Sequence, residues 1–456
     1  MPKPRTSHWS IPFARTGVCC LALLAVGCAS VKPPASVQTN ATQAALQHAA
    51  WWNDFNDPLL TRLIDQALQA NTSIRSAQAA LQQARALRDV KVANSRPSLS
   101  LSGSAQRSQT ESFDATNNFR AGLDASWEAD VFGAVRSGVA ASEADAQASQ
   151  ASLRDVQVSV AAEVALAYIQ LRGQQSQLAI ALSNLASQTE TLQITDWRAQ
   201  AGLITSLEVE QARAATAQTA AQIPALTASI AKTRHSLAVL TGQRPLELDQ
   251  LLAAAQALPQ PADLSASVIP ADTLRQRADV RAAELRIQVA LSRVDAADAA
   301  RYPSFKLGGG LSLSSLTLAG LTNGAALARS LLGSVSVPLF DAGAGKAQVL
   351  AQEAALEQAR ASYQTTVLTA LKDVEDALVA IQGDRARLQS LQQAATAAEN
   401  AAALANNRYN SGLIDFQTIL QTQRTLLSAQ DSVANVQADL SSNHVRLIKA
   451  LGGGWH

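Results

Sequence analysis

The chain is written twice. Arg75 and Pro97 match Arg281 and Pro303 at an offset of 206, which places Leu99, Leu101 and Gly103 on Phe305, Leu307 and Gly309. Further along, Gly133, Arg136 and Glu143 match Gly343, Lys346 and Glu353 at an offset of 210. The same offset relates Gly173 to Gly383, Arg198 to Arg408, and the Gly-Leu-Ile triplets at 202–204 and 412–414. Matches kept in order through both halves mean a tandem duplication, so the fold must accommodate two copies of one plan.

Each copy begins with a helix, over about 58–95 and 270–301, that stops before Pro97 or Pro303, where proline disfavours a helical predecessor. A strand pair follows, within about 98–131 and 304–340. In the first copy Phe119, Leu123, Trp127 and Val131 share one parity, while Arg120, Asp124, Glu128 and Asp130 take the other. In the second, Phe305, Leu307, Leu311 and Leu313 share a parity, as do Val335, Val337 and Leu339. Period two with one apolar face is a half-exposed strand. The polar or small stretches 109–118 and 317–326 read as connecting loops. A long helix comes next, over about 134–200 and 344–410. Val367, Leu371, Val374, Leu378, Ile381 and Leu388 step by four, three, four, three and seven, the spacing of a coiled-coil seam. Glycine then breaks each long helix and a further helix returns, closing hairpins at about 134–241 and 344–450. The repeats therefore span 58–244 and 270–451, separated by a Pro-containing linker at 245–269 and followed by a tail at 452–456.

A lone strand pair has open edges and one greasy face. Four strands per chain are long enough to cross a bilayer when tilted but too few to close a barrel, for which eight is about the minimum. Three copies would supply twelve. The expected fold is mainly α with a membrane β-barrel: long helical hairpins plus four strands per protomer, with three protomers completing a 12-stranded barrel; the alternative, a soluble sandwich edge, leaves Trp127, Phe119 and Phe305 without an obvious core. Arg120, Asp124, Glu128, Asp130 and Lys306 would then line a wet lumen while the apolar parity faces lipid.

The N-terminus agrees with an envelope location. Lys3, Arg5 and Arg15 precede a short apolar run that ends at Gly27-Cys28. A basic segment, a short apolar core and small residues describe a secretory signal peptide, here residues 1–27. Leu24-Ala25-Val26-Gly27-Cys28 resembles a bacterial lipobox, which makes Cys28 the lipidated first residue of an N-terminal segment, 28–57. Ala29 and Ser30 lack the aspartate that usually retains such a protein in the inner membrane. Cys19 and Cys20 leave with the signal, so neither a disulfide framework nor a free thiol nucleophile is expected.

Several classes of function are excluded. A formal net charge of +1 gives no basic surface for nucleic acid. The histidines lack partners at metal-ligand spacing. Asp-Ala-Gly-Ala-Gly-Lys at 341–346 resembles a phosphate loop, but Phe340 stands where the first glycine belongs and Ala347 replaces Ser or Thr. It reads better as a strand-to-helix turn. No catalytic residue, metal or cofactor is expected beyond lipid on Cys28.

The stretches Trp-Trp-Asn-Asp-Phe at 51–55, Arg-Ala-Asp-Val-Arg-Ala-Ala-Glu at 277–284, Val-Pro-Leu-Phe-Asp-Ala-Gly at 337–343 and Asn-Arg-Tyr-Asn-Ser-Gly-Leu-Ile-Asp-Phe at 407–416 carry a resemblance. They resemble the outer-membrane efflux proteins, most closely the NodT-type lipoprotein subgroup of TolC-like channels that serve resistance-nodulation-division pumps. One departure is Ala278, where the family usually has proline. The resemblance implies a homotrimeric duct whose 12-stranded barrel sits in the outer membrane and whose helices form a long tunnel through the periplasm, partnered by a periplasmic adaptor and an inner-membrane pump. It also implies adaptor docking at the hairpin tips through Arg198, Gly202, Leu203, Arg408, Gly412 and Leu413. Asp415, with Arg408 and Tyr409, is the candidate aperture gate; helix capping is the competing role for Asp415. A duct for ATP-driven protein secretion is the alternative within the family. A periplasmic adaptor or structural envelope lipoprotein is the alternative outside it.

Overall fold

A computed structural model describes residues 50–110, 113–260, 276–322 and 327–453. The signal segment, Cys28 and positions 270–275 of the expected second-copy helix lie outside them. After a 3-10 turn at Trp51–Phe55, the elements run α1 (Pro58–Ala70), α2 (Thr72–Asn94), β1 (Ser98–Thr110), β2 (Phe113–Ala129), α3 (Ala134–Gln200) and α4 (Ser206–Leu240). The second copy supplies α5 (Ala278–Ala299), β3 (Ser304–Ser315), β4 (Leu327–Ser336), α6 (Ala344–Asn410) and α7 (Phe416–Ala450). The duplication is metrically close: α3 and α6 each hold 67 residues, and α4 and α7 each hold 35. At 1.5 Å per residue the long helices run about 100 Å.

The first expected helix is two helices. Asn71 accepts from the Ser73 and Ile74 N–H groups at 2.8 and 3.3 Å, capping α2, while its Nδ2 donates to the Leu240 carbonyl at 2.8 Å. An asparagine that caps one helix and anchors another stops α1 where an apolar pattern alone would run on. The strands also outrun expectation. Stretch 109–118 is largely strand rather than loop, because Arg107, Ser108 and Thr110 pair with Asn117, Thr116 and Phe113. Backbone pairing needs no apolar side chain. Conversely, β4 ends at Ser336, so Val337 and Leu339 lie beyond it.

All four strands form one antiparallel sheet in sequence order, β1-β2-β3-β4. The glycines at 308–310 make no bulge; register through β2–β3 is regular. Gly310 serves close approach instead, since a Cβ there would stand 3.2 Å from Asp124 Oδ1 and 3.0 Å from Ser330 Oγ.

Both long helices start on left-handed glycines, Gly133 at φ 87° and Gly343 at φ 86°. The Asp130 carboxylate accepts from the Val135 and Arg136 N–H groups at 3.1 and 2.7 Å, and Asp341 accepts from Gly343 and Gly345 at 2.9 and 2.7 Å. The 341–346 stretch is thus the strand-to-helix turn. Asp130 is a helix-start carboxylate placed just past β2, which removes it from the expected lumen set: free N–H groups at a helix start attract an anion.

The largest buried cluster gathers around the middle of α3. Trp51, Trp52 and Phe55 pack with Leu60, Leu63 and Ile64 of α1 onto Val160, Val164 and Ile169 of α3. Leu237 of α4, Leu248 and Leu252 of the linker, and Val445 and Ile448 of α7 complete it. Alanine lets the helices close: Ala161, Ala162 and Ala165 are buried, and a Cβ on Gly173 would come within 3.1 Å of the Ala438 Cβ. Gly173 is therefore a packing contact.

Gly242 ends α4 at φ 72°, and a Cβ there would meet the Ala70 carbonyl oxygen at 2.6 Å. Gly242→Ala combines positive φ with a backbone clash and is expected to cost about 1–3 kcal/mol, read as a lowered melting temperature of the detergent-solubilised protein.

Candidate functional site

Two regions hold the sequence-predicted residues: the hairpin tips and the sheet. At the tips, Gly202 and Gly412 each adopt φ 74°. Gly202 N–H donates to the Ala199 carbonyl and Leu203 N–H to the Arg198 carbonyl, both at 2.9 Å. Gly412 and Leu413 repeat this onto Tyr409 and Arg408 at 2.9 and 2.8 Å. Each is the paired-bond ending that uses glycine to satisfy the last helix carbonyls. Leu203 and Leu413 then stand out in solvent, each 74% exposed, beside an exposed Trp197.

The matched arginines do different work. Arg198 lies with its guanidinium carbon 4.4 Å from the centre of the Tyr409 ring. Its Nη2 donates to the carbonyls of Tyr409 at 2.5 Å and Asn410 at 2.9 Å, placing a cation on the C-terminus of α6. Tyr409 is buried, and its hydroxyl lies 2.9 Å from Thr195 Oγ1. Phe416, Ile419 and Leu420 pack around it with Ala212 and Ala215, so the two tips share a small core. Arg408, by contrast, is exposed and makes no side-chain hydrogen bond or ion pair among the described residues.

Asp415 caps α7: its Oδ1 accepts from the Thr418 N–H at 2.9 Å and from Thr418 Oγ1 at 2.6 Å. These bonds hold its carboxyl below the usual range. The first tip solves the same problem with Thr205, whose N–H donates to the Glu208 carboxylate at 2.8 Å.

In the sheet, register brings the polar set to one face. Arg120, Asp124, Glu128 and Lys306 share that face with serines of all four strands, whereas Leu101, Leu123, Trp127, Leu307, Leu311 and Leu331 share the other. Glu128 and Lys306 are directly opposed, with Oε2 and Nζ 3.6 Å apart. Asp124 accepts from Ser102 Oγ at 3.2 Å.

Two charged groups near the main core escaped sequence reasoning. Arg172, 1% exposed, donates to Gln175 Oε1 and the Ala254 carbonyl, each at 2.7 Å, and to Tyr168 Oη and Gln256 Oε1, each at 3.0 Å. The Tyr168 hydroxyl in turn donates to Asp57 at 2.7 Å, and burial raises its pKa. The network sews the N-terminal segment and the linker to α3. It is absent from the second copy, where Leu378 and Gln382 occupy the equivalent positions, so repeat matching points away from it. The second group centres on Arg277, which clasps Asp279 at 2.8 and 3.0 Å and donates to the Ala450 carbonyl at 2.8 Å. Neither group carries a reaction. No cluster of His, Cys, Asp or Glu suited to a metal occurs among the described residues.

Asp155 belongs to this second group. Burial, and then the charge of Asp279, push its carboxyl above the usual aspartate range. The folded state thus holds this proton more tightly than the unfolded chain. Stability from Asp155 is full below the ordinary aspartate pKa and lost as pH rises through the raised one. Asp155→Asn is expected to melt above the native protein at neutral pH, with the gap closing toward pH about 4 in a melting series.

Comparison with known proteins agrees with this geometry. The family model described as "Outer membrane efflux protein" matches residues 63–243 and 269–453, one match per repeat. The solvent efflux pump outer membrane protein SrpC of Pseudomonas putida is 32% identical over 411 residues, covering 88% of this chain and 86% of its own. The probable outer membrane lipoprotein SilC of Salmonella typhimurium is 29% identical over 451 residues, covering 94% and 96%. Among solved structures, the outer-membrane channel OprN superposes with a TM-score of 0.84 at 37% identity, covering 89% of this chain and 93% of that one. The chain belongs to the outer membrane efflux protein family and is a passive outer-membrane channel, not an enzyme.

Proposed function

We propose that three copies of this chain close into an exit duct that carries small, largely apolar toxic compounds out of the cell, after an inner-membrane pump and a periplasmic adaptor deliver them. The observation that carries the trimer is a missing set of neighbours. In the first copy, α3 packs against α2, α5, α4 and α7; in the second, α6 packs against α5 and α7. Applying the repeat a second time supplies α6 with α2 and α4 of the next protomer. The same operation that joins β2 to β3 joins β4 to the next β1. Exposed Leu350, Leu368 and Val379 on α6 are then covered.

In the closed ring the serine-rich face, with Arg120, Asp124, Glu128 and Lys306, lines a wet lumen, and the leucine-rich face meets lipid. Lipid on Cys28 supplements this anchor. The tips form the periplasmic mouth, where exposed Leu203 and Leu413 offer apolar contacts to an adaptor. Selection among substrates belongs to the pump, and the solvent-efflux role named for SrpC supports the small-molecule reading. At the mouth, Arg408 repeats the Arg198 clamp onto the last α3 carbonyls of the next protomer. Closure of the mouth then rests on Arg408 and Tyr409, with Asp415 adding negative charge near the axis.

Arg286 Nη2 donates to Ser152 Oγ at 3.3 Å, a contact between α5 and α3. Its repeat images are Ala80 and Ser362, on different protomers. Ala80→Cys with Ser362→Cys is expected to yield covalent dimers and trimers with a short bis-maleimide; intact trimers without crosslinks would refute the arrangement. A photo-crosslinker on Ser411→Cys in living cells is expected to capture an adaptor of the resistance-nodulation-division class, whereas an ATP-driven exporter's adaptor would move the reading to secretion. Asp415→Asn keeps a helix cap and removes the charge. It is expected to raise anion conductance through bilayer-reconstituted trimers, and unchanged conductance would leave Asp415 a cap only.

A further inference from the structure

Within the regularly paired part of the sheet, the leucine-rich face carries two charges, and both are arginines. Arg107 shares the parity of Leu99 and Leu101 on β1, and Arg329 opposes Leu311 from β4. Both are exposed and neither has a side-chain partner among the described residues. The other strand charges within the regular register, Arg120, Asp124, Glu128 and Lys306, lie on the serine-rich parity, and Asp114 lies past the register shift that follows Ser108. An arginine on a lipid-facing strand is destabilising at the bilayer midplane and nearly tolerated near the interface. Two of them with no internal partner among the described residues point to an anion outside the protein.

Their positions converge. β1 and β4 are the two outer strands of the sheet, so each arginine lies on an open edge. Ser98 and Ser336 are the helix-side ends of these strands; Arg107 lies nine residues from Ser98, and Arg329 lies seven from Ser336. Both are thus displaced toward the turn ends, away from the periplasmic helices. This step rests on the trimer proposed above: where β4 meets the next β1, the two guanidinium groups come to one level on the outer surface at every seam. Beside them lies a shallow apolar groove. Gly309 and Ala125 leave its floor low, Leu99, Leu123, Leu311 and Leu331 form its walls, and Arg329 stands at its margin.

We propose that each protomer seam is a binding site for the phosphorylated glycolipid of the outer leaflet. Arg107 of one protomer and Arg329 of the next hold its phosphate, and an acyl chain lies in the groove. Guanidinium groups are suited to phosphate through paired, charge-assisted hydrogen bonds. The level of the arginines selects the outer leaflet, because inner-leaflet headgroups lie at the helix-side ends. The site also ties adjacent protomers together across a seam otherwise held by strand pairing.

The test uses full-length trimer purified from outer membranes in mild detergent and examined by native mass spectrometry. Native trimer is expected to retain up to three lipid A-bearing molecules. Arg107→Gln and Arg329→Gln are each expected to lower occupancy roughly tenfold, and the double variant to come out free of glycolipid while still trimeric. Equal retention by the double variant overturns the proposal, as does equal uptake of phosphatidylglycerol and lipid A from mixed micelles. A second readout is independent of lipid. Arg107→Cys with Arg329→Cys is expected to form an inter-protomer disulfide under copper-phenanthroline oxidation. Intact trimers without that crosslink overturn the seam site alone, whereas loss of trimers in the native protein overturns the duct itself.

Discussion

Four strands make a sheet with two open edges, and the rest of this molecule follows from that constraint. Each edge is a row of unpaired N–H and C=O groups, which hydrocarbon cannot satisfy. The strand order β1-β2-β3-β4 leaves β1 and β4 outermost, one edge from each repeat, so the two edges are related by the duplication. In the proposed trimer, the contact that pairs β2 with β3 within the chain is repeated between β4 and the β1 of a neighbour. The helices obey the same rule, since α3 is surrounded inside the protomer and α6 is left half-covered.

Duplication did not make the halves equal. The first copy carries the buried Arg172–Tyr168–Asp57 network and the aromatic turn at Trp51–Phe55, which pin the N-terminal segment and linker to α3. Buried charge of this kind is costly unless bonded, and four acceptors offset most of that cost for Arg172, leaving its Nε without one. The second copy trades this for the Arg277 clasp against the end of α7. At the tips, Arg198 of the matched pair binds within the chain, whereas Arg408 is exposed. In the proposed trimer, symmetric sequence positions become an inner and an outer contact.

Much of the site was legible beforehand. The glycine-marked tips, the long hairpins and the two-faced strands appeared where periodicity put them, because a helix or strand advertises its buried face through spacing. Three features misled. Asn71 looked like a mid-helix residue and proved to be a cap, since capping depends on backbone geometry at one position rather than on a pattern. Asp130 followed the polar parity of β2, but the strand ends one residue earlier and the carboxylate turns to the start of α3. The polar run 109–118 looked like loop because backbone pairing leaves little mark on side-chain chemistry.

The sequence by itself determined the repeated plan, the lengths of the helices and the segregation of leucine from serine across the strands. These are local consequences of spacing, and spacing is written residue by residue. The tertiary structure alone decided which arginine clamps Tyr409, which carboxylates cap helices and which line the polar face, and that Arg107 and Arg329 occupy opposite edges of one leucine-rich face. Those outcomes depend on strand register and on the angle at which helices meet, distances set between residues far apart in the chain, where no periodicity records them.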